Sequence, residues 1–311
     1  MVTTYPFGIS RKTPLEILLN NGIKPELNNL ERKYSREEHR QKLSFHKPEI
    51  IIAGTENYDR ETLDIIPQLK MISRVGIGLD SVDLDECKKR GIVVAYTPDA
   101  PSNAVAELAI CQMLNMLRHV QKVSEGILAW PRFAGKEIRS CNVGIIGMGR
   151  IGNLVLDKLQ GLKPRRIFVN DIIKDRAINR PRSEFATKDE IIAECDIVTI
   201  HIPLNEKNRD FISEKDFLLM KKDICLMNLS RGGIINENDA YTWFKDNKEA
   251  TIAIDTFEEE PYNGALVRLP NSYLTPHLGS MSVQSRFGME TGAAEAVINF
   301  INNKPIINRV I

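Results

Sequence analysis

No stretch of this chain stays apolar for the roughly 18 residues that a membrane-spanning helix needs, so no bilayer segment and no membrane partner are expected. The first ten residues hold neither a basic cluster nor an apolar core long enough for a secretory signal, which makes the cytoplasm the expected location. An excess of one charge is also missing: 42 Lys and Arg against 41 Asp and Glu leave a net charge of +1, too little to gather nucleic acid. Cysteine is sparse. Cys87, Cys111, Cys141, Cys195 and Cys225 form no C-x-x-C pair and have no His at ligand spacing, so they read as reduced core thiols and no metal site is expected.

What is present is ordinary globular material, 42% hydrophobic and 27% charged, over 311 residues, a length that suits two domains better than one. Residues 49–53 (EIIIA) and 69–73 (LKMIS) read as buried parallel strands. A helix over 83–90 closed by Gly91 and a strand over 92–96 continue the alternation. Thr97-Pro98-Asp99-Ala100-Pro101 then breaks the chain, and a helix is predicted from Ser102 to His119, with Ser102 or Asn103 as its cap and apolar residues almost all round it. A second array follows, with strands over 142–146, 166–170, 197–201, 224–228 and 251–255. The last helix, over 282–302, is long enough to return to the first array, where residues 305–311 are expected to add an edge strand. The fold class is therefore α/β, with two doubly wound parallel sheets. Residues 1–98 and 282–311 form a discontinuous domain, and residues 99–281 form a nucleotide domain inserted into it.

The second array opens on Val143-Gly144-Ile145-Ile146, which runs into Gly147-Met148-Gly149-Arg150-Ile151-Gly152 and then into a helical pattern. Gly147 permits the tight turn, Gly149 admits a pyrophosphate to the backbone, and Gly152 allows helix and strand to touch. A lone G-x-G-x-x-G is weak evidence, but Asp171 closes the next strand 19 residues beyond Gly152. An acid there accepts from ribose hydroxyls and repels a 2'-phosphate, so NAD is the expected cofactor, with Lys174 and Arg176 partly offsetting the repulsion.

Six further motifs occur in order: Arg74-Val75-Gly76-Ile77-Gly78-Leu79-Asp80-Ser81-Val82-Asp83, Asn103-Ala104-Val105-Ala106-Glu107, His201-Ile202-Pro203-Leu204, Asn228-Leu229-Ser230-Arg231-Gly232-Gly233, Asp255-Thr256-Phe257-Glu258-Glu259-Glu260-Pro261 and Thr275-Pro276-His277-Leu278-Gly279. With them, nearly the whole chain resembles the D-isomer-specific 2-hydroxyacid dehydrogenases, most of all their phosphoglycerate dehydrogenase-like branch. The resemblance implies a Rossmann NAD-binding domain set into a flavodoxin-like substrate domain, and a reaction that passes a hydride between NAD(H) and a small 2-oxo or 2-hydroxy acid.

Such a reaction needs a cation for the carboxylate and an acid for the carbonyl oxygen. Arg231 suits the first task and His277, with its ordinary pKa of ~6.5, the second, while Glu260 orients the imidazole. The family places Gly147, Gly149, Arg150, Ile151, Gly152, Asp171, His201, Ile202, Pro203, Leu229, Ser230, Asp255, Gly279 and Ser280 around the cofactor. It places Thr55, Arg74, Val75, Gly76, Asn103 and Arg132 toward the substrate, with the Val75 and Gly76 backbone on its carboxylate. Duller readings stand beside these: Arg231 capping a helix, Glu260 as part of a solvated acidic run, Asp255 capping a turn, and His277 as a surface loop residue. His201 reads as structural or as a pyrophosphate neighbour, and His39, His46 and His119 as background.

Departures bear on the substrate. Ala53-Gly54-Thr55-Glu56 carries an acid in a loop where many phosphoglycerate dehydrogenases hold an Arg, which disfavours a dianionic phosphate; Arg74 and Arg132 read equally as phosphate ligands or as surface charges. Ile77, Asn208 and Ser230 also differ from usual family residues, and a chain ending at Ile311 leaves no room for a C-terminal regulatory domain. A homodimer is expected through the apolar 102–119 helix and Trp130. The competing reading is an NAD(H)-sensing binding module, like the corepressors that resemble this family.

Overall fold

The computed structural model describes every residue except 126–131, 133 and 179–180, so Trp130 lies outside the described residues. The chain divides into two compact units, Met1–Ser102 with Ser280–Ile311, and Asn103–Gly279. In the first unit, strands β1 (Ile50–Ala53), β2 (Met71–Arg74) and β3 (Val93–Ala95) pair in parallel in that order. Apart from Ser73 and Arg74 at the end of β2, their residues are apolar on both faces because both faces are covered. One packs on Leu43, Leu63, Leu69 and Cys87, the other on the helix Val283–Ile301 through Met289, Ala293, Ala294 and Val297. The two alanines bring that helix close enough for Ser73 Oγ to donate to the Ala293 carbonyl at 2.9 Å.

Past β1 the sheet continues as single rungs. Thr3 N donates to Ile52 O at 2.9 Å and Val2 N to Glu26 O at 2.7 Å, so the row runs from residue 26 through residue 2 into β1, β2 and β3. The first chain segment thus lies inside the second, the order of a doubly wound sheet. At the other edge the strand expected over 305–311 does not form. Only an antiparallel bridge from Arg309 to Ala95 is made, because β3 is three residues long and Pro305 has no amide to give.

The second unit holds seven parallel strands: β4 (Asn142–Ile146), β5 (Arg166–Asn170), β6 (Glu184–Phe185), β7 (Ile197–Ile200), β8 (Cys225–Asn228), β9 (Thr251–Ile254) and β10 (Ser272–Leu274). Their order is β10-β9-β8-β7-β4-β5-β6, which reverses direction between β4 and β7. A dinucleotide site belongs at such a reversal, beyond the carboxyl ends of the strands. β6 and β10 escape the sequence pattern because they are only two and three residues long and contribute few apolar positions.

The helix predicted from Ser102 to His119 ends at Arg118, since His119 turns left-handed at φ 54°. Ser102 Oγ donates back to Pro98 O and Asn103 bonds Glu107 and Lys158. The helix is amphipathic rather than apolar all round. Val105, Ala109, Met113 and Met116 are buried, whereas Asn103, Glu107, Cys111 and Leu114 form an exposed stripe. Cys111 is therefore not a core thiol; the other four cysteines are buried, and burial pushes the Cys195 thiol up to about 12. Among the described residues no helix is long and apolar enough to cross a membrane, and no group of three or more His, Cys, Asp or Glu is placed to hold a metal.

Candidate active site

Six residues lie side by side across the carboxyl edge of the second sheet: Leu274, Ile254, Asn228, Ile200, Ile146 and Asn170. Gly147, Asp171, His201, Leu229 and Asp255 each follow that row by one residue, and Arg231 and His277 follow it by three. Residues scattered over 130 positions of sequence share one rim because the register aligns the strand ends. The last positions of two predicted strands, His201 and Asp255, have left the ladder to join it.

At the reversal point Gly147 takes φ 97°, where a side chain would strike the His201 carbonyl, and a Cβ on Gly152 would collide with Gly147 O. Gly149 faces open space: a Cβ there meets nothing within 4 Å. It is the N-cap of the helix Arg150–Leu162 and brings no side chain to the first amides, leaving the positive helix end available to an anion. Asp171 braces the turn, its carboxylate accepting from Met148 N at 2.7 Å and from Ile173 N at 2.8 Å. Asn153 Nδ2 donates to Met148 O and Gly149 O from the other side. An open glycine, an uncapped helix start and an acid at the next strand end are what an NAD pyrophosphate and ribose require, so these residues fit that cofactor. Lys174, the sequence's offset to that repulsion of a 2'-phosphate, has its Nζ over the Phe185 ring at 5.8 Å. His201 is held to Thr199 Oγ1 at 2.9 Å, and burial pushes its pKa down to about 4, so it is neutral at working pH and unsuited to donate a proton.

The Arg231 turn is organised by Asn228, which is 1% exposed. Its Oδ1 accepts from Ser230 N at 3.1 Å and Ser230 Oγ at 2.6 Å, and its Nδ2 donates to Arg231 O at 2.7 Å. Gly232 and Gly233 follow because a Cβ on the first would collide with the Phe257–Glu258 backbone, and the second has φ 76°. The acidic run is divided in its duties. Glu258 pairs with Arg209 at 2.7 Å, while Glu260 turns to His277.

His277 Nδ1 lies 3.0 Å and 2.9 Å from the two Glu260 oxygens, and Nε2 carries no hydrogen bond among the described residues. The imidazole thus has one nitrogen bound to a carboxylate and the other presented outward, with 37% of the side chain exposed. Its loop is fixed from below by Asp255. The Asp255 carbonyl accepts from His277 N at 2.9 Å; Oδ1 accepts from Thr275 Oγ1 at 2.6 Å and Leu278 N at 2.7 Å, and Oδ2 accepts from Gly279 N at 2.8 Å. These bonds hold His277 at φ 55°, a left-handed conformation unusual for a side chain of this size. The anchoring parts of Asn228 and Thr275 were not assigned from sequence. A strand-end Asn three residues before a candidate Arg, and a Thr two before a candidate His, were the available signals.

In the first unit the residues predicted to face the substrate are arranged differently from expectation. The Val75 amide donates to Ala53 O and the Gly76 amide to Thr97 Oγ1 at 2.8 Å, so the two donors expected on a carboxylate are already engaged. Arg74 is 5% exposed with its Nη1 on Val75 O at 2.7 Å, which removes the surface-charge reading. Thr55 is exposed; so, in the second unit, is Arg132, which sits between undescribed residues.

Residues 109–279 match the family model "D-isomer specific 2-hydroxyacid dehydrogenase, NAD binding domain". A glyoxylate reductase of Pyrococcus horikoshii is 33% identical over 79% of this chain and 77% of its own length. A D-3-phosphoglycerate dehydrogenase of Archaeoglobus fulgidus is 29% identical over 96% of this chain but only 56% of that longer protein. In fold, the crystal structure of D-lactate dehydrogenase from Aquifex aeolicus complexed with NAD and lactic acid superposes with a TM-score of 0.81 at 21% identity, covering 97% of this chain and 95% of that one. The matched span contains the whole rim from Gly147 to Gly279, and on that ground the chain belongs to the D-isomer specific 2-hydroxyacid dehydrogenase family.

Proposed function

We propose that this chain is an NAD-dependent dehydrogenase interconverting a small 2-oxo acid and its D-2-hydroxy acid, with Arg231, Glu260 and His277 as the catalytic set. When bound, the nicotinamide supplies the hydride in reduction and accepts it in oxidation. Arg231 engages the substrate carboxylate through a planar fork that stays charged at any working pH and polarises the adjacent carbonyl. His277 Nε2 gives a proton to the carbonyl oxygen in one direction and takes it from the hydroxyl in the other. Glu260 holds Nδ1, fixing the ring so that Nε2 is the nitrogen left to meet the substrate oxygen. The outward Nε2 opposite a carboxylate-bound Nδ1 is the observation that carries this reading.

The relatives named glyoxylate reductase and D-3-phosphoglycerate dehydrogenase set the substrate panel. Glyoxylate, hydroxypyruvate and 3-phosphohydroxypyruvate are to be tested by NADH oxidation. The His277→Ala variant is expected to lose about 100-fold or more in reduction rate while NADH binding stays nearly unchanged. Tight NADH binding without turnover of any member would instead favour a sensing module.

The same reading makes the unit Asn103–Gly279 the NAD domain and the other unit the substrate domain, in a cytoplasmic homodimer. The exposed Cys111 and Leu114 on the helix Ser102–Arg118 are the apolar positions available for pairing. Sedimentation as a monomer at micromolar concentration would count against the dimer.

A further inference from the structure

Within the unit Asn103–Gly279, the loop that carries Glu260 is closed on itself. The Phe257 and Tyr262 rings stack with centroids 4.1 Å apart and planes 16° from parallel, so Glu258 to Pro261 arch out between them. The Tyr262 hydroxyl accepts from Leu266 N at 3.2 Å, and a Cβ on Gly264 would strike the Tyr262 ring, which fixes the far end of the arch. Inside it, Glu260 Oε1 accepts from Phe257 N at 3.2 Å. A loop so closed behaves as one piece, and its outer contacts decide where Glu260 stands.

Two of those contacts come from one stretch of chain. Gly232, directly after Arg231, lies flush on the Phe257–Glu258 peptide with no room for a Cβ. Further on, Glu237 opens the helix Glu237–Asp246, whose start is set by Asn236 Oδ1 accepting from Asp239 N at 3.0 Å. Glu237 Oε1 accepts from Glu258 N at 3.0 Å. The peptide that begins the arch is thus gripped by both ends of the segment that presents Arg231. The Glu258 carboxylate also pairs with Arg209, but both side chains are about half exposed, and such a pair contributes little. Burial raises the Glu237 carboxyl toward its neutral form, so a glutamine copies its acceptor closely.

We infer that Glu237 is a positioning residue: by accepting from the Glu258 amide it holds the arch in register with the Arg231 turn, and so sets the Glu260 carboxylate against the His277 ring. Its effect on rate rests on the dehydrogenase reading above; its effect on the ring does not.

The test is a double-mutant cycle on kcat, read by NADH oxidation with glyoxylate, hydroxypyruvate and 3-phosphohydroxypyruvate. Glu237→Ala should lower kcat by about 10-fold with the Kd for NADH unchanged, whereas Glu237→Gln, which keeps the acceptor, should stay within about 2-fold of the unaltered protein. In a Glu260→Ala background no carboxylate remains to be placed, and Glu237→Ala should cost less than about 2-fold. Equal losses in the two backgrounds, or no loss in either, overturn the inference. Glu237→Asp, whose acceptor falls one methylene short, takes the place of Glu237→Ala if that protein does not fold. The ring 15N signals of His277 give a readout apart from turnover: the Nδ1 signal should shift in Glu237→Ala and stay in place in Glu237→Gln. If the unaltered protein reduces none of the three acids, the dehydrogenase reading falls and the ring signal decides alone. A shift then upholds Glu237 as the residue that sets the pair, and an unchanged spectrum overturns it.

Discussion

Two carboxylates five residues apart serve one imidazole in opposite ways. Asp255 is 1% exposed and uses both oxygens and its carbonyl to hold the backbone around His277. Glu260 has 30% of its side chain exposed and brings both oxygens to the ring, with Oε1 also accepting from Phe257 N at 3.2 Å. The buried acid fixes where the loop goes; the exposed one fixes what the ring does once it is there. Burial separates the roles because an unmet donor inside the protein costs the full desolvation penalty, whereas one at the surface is met by water.

Breaking the buried member should do the most damage. Asp255→Ala leaves the Leu278 and Gly279 amides and the Thr275 hydroxyl without their acceptor, and the left-handed conformation of His277 then rests on its own amide bonds to the Asp255 and Thr275 carbonyls and on its pair with Glu260. Stability should fall by about 2–4 kcal/mol and kcat/KM by at least about 100-fold, measured by denaturant unfolding and NADH oxidation. A folded variant with near-normal turnover would show that the loop is held by something else. Glu260→Gln sharpens the contrast, because it preserves shape while removing the charge. Its stability should change by less than about 1 kcal/mol, while kcat falls by roughly 10- to 100-fold and NADH affinity stays the same. Equal losses of stability in the two variants would erase the distinction.

Much of this division was not legible in the sequence, for reasons the structure makes plain. The longer strands show themselves because runs of four or five residues rich in Ile, Val and other apolar side chains are buried on both faces, and the glycine turn because Gly147 and Gly152 have no room for a side chain. Arg231, Glu260 and His277 can be picked out by motif. What Asn228 and Asp255 do depends on strand register, which places a residue one step beyond Ile254 under a loop that starts one step beyond Leu274. No local pattern records that adjacency. The helix Ser102–Arg118 misleads for the opposite reason: apolar residues occur on all its sides, so composition gives no hint that Cys111 and Leu114 share the outward stripe of Asn103 and Glu107 until the sheet has claimed the other side.

The same contrast extends to the two histidines of the rim, and it predicts a pH effect that belongs to the fold rather than to catalysis. His201 is half-buried against Thr199 with its Nδ1 sealed and unbonded among the described residues, and its pKa is pushed down to about 4 by loss of solvent. In the unfolded chain the group returns to ~6.5. Between those values the unfolded state binds the proton and the folded state does not, so the stability is present above pH 6.5 and is lost as pH falls toward 4. At pH 5 the loss amounts to about 2 kcal/mol from this residue. Thermal unfolding of the unaltered protein and of His201→Gln at pH 7.5 and pH 5 isolates it, because His39 contributes in the same direction to both. The variant should lose less of its Tm on acidification. If both proteins lose the same amount, His201 is solvated in the folded state, and the division of the rim into a buried scaffold and an exposed reacting pair fails at that residue.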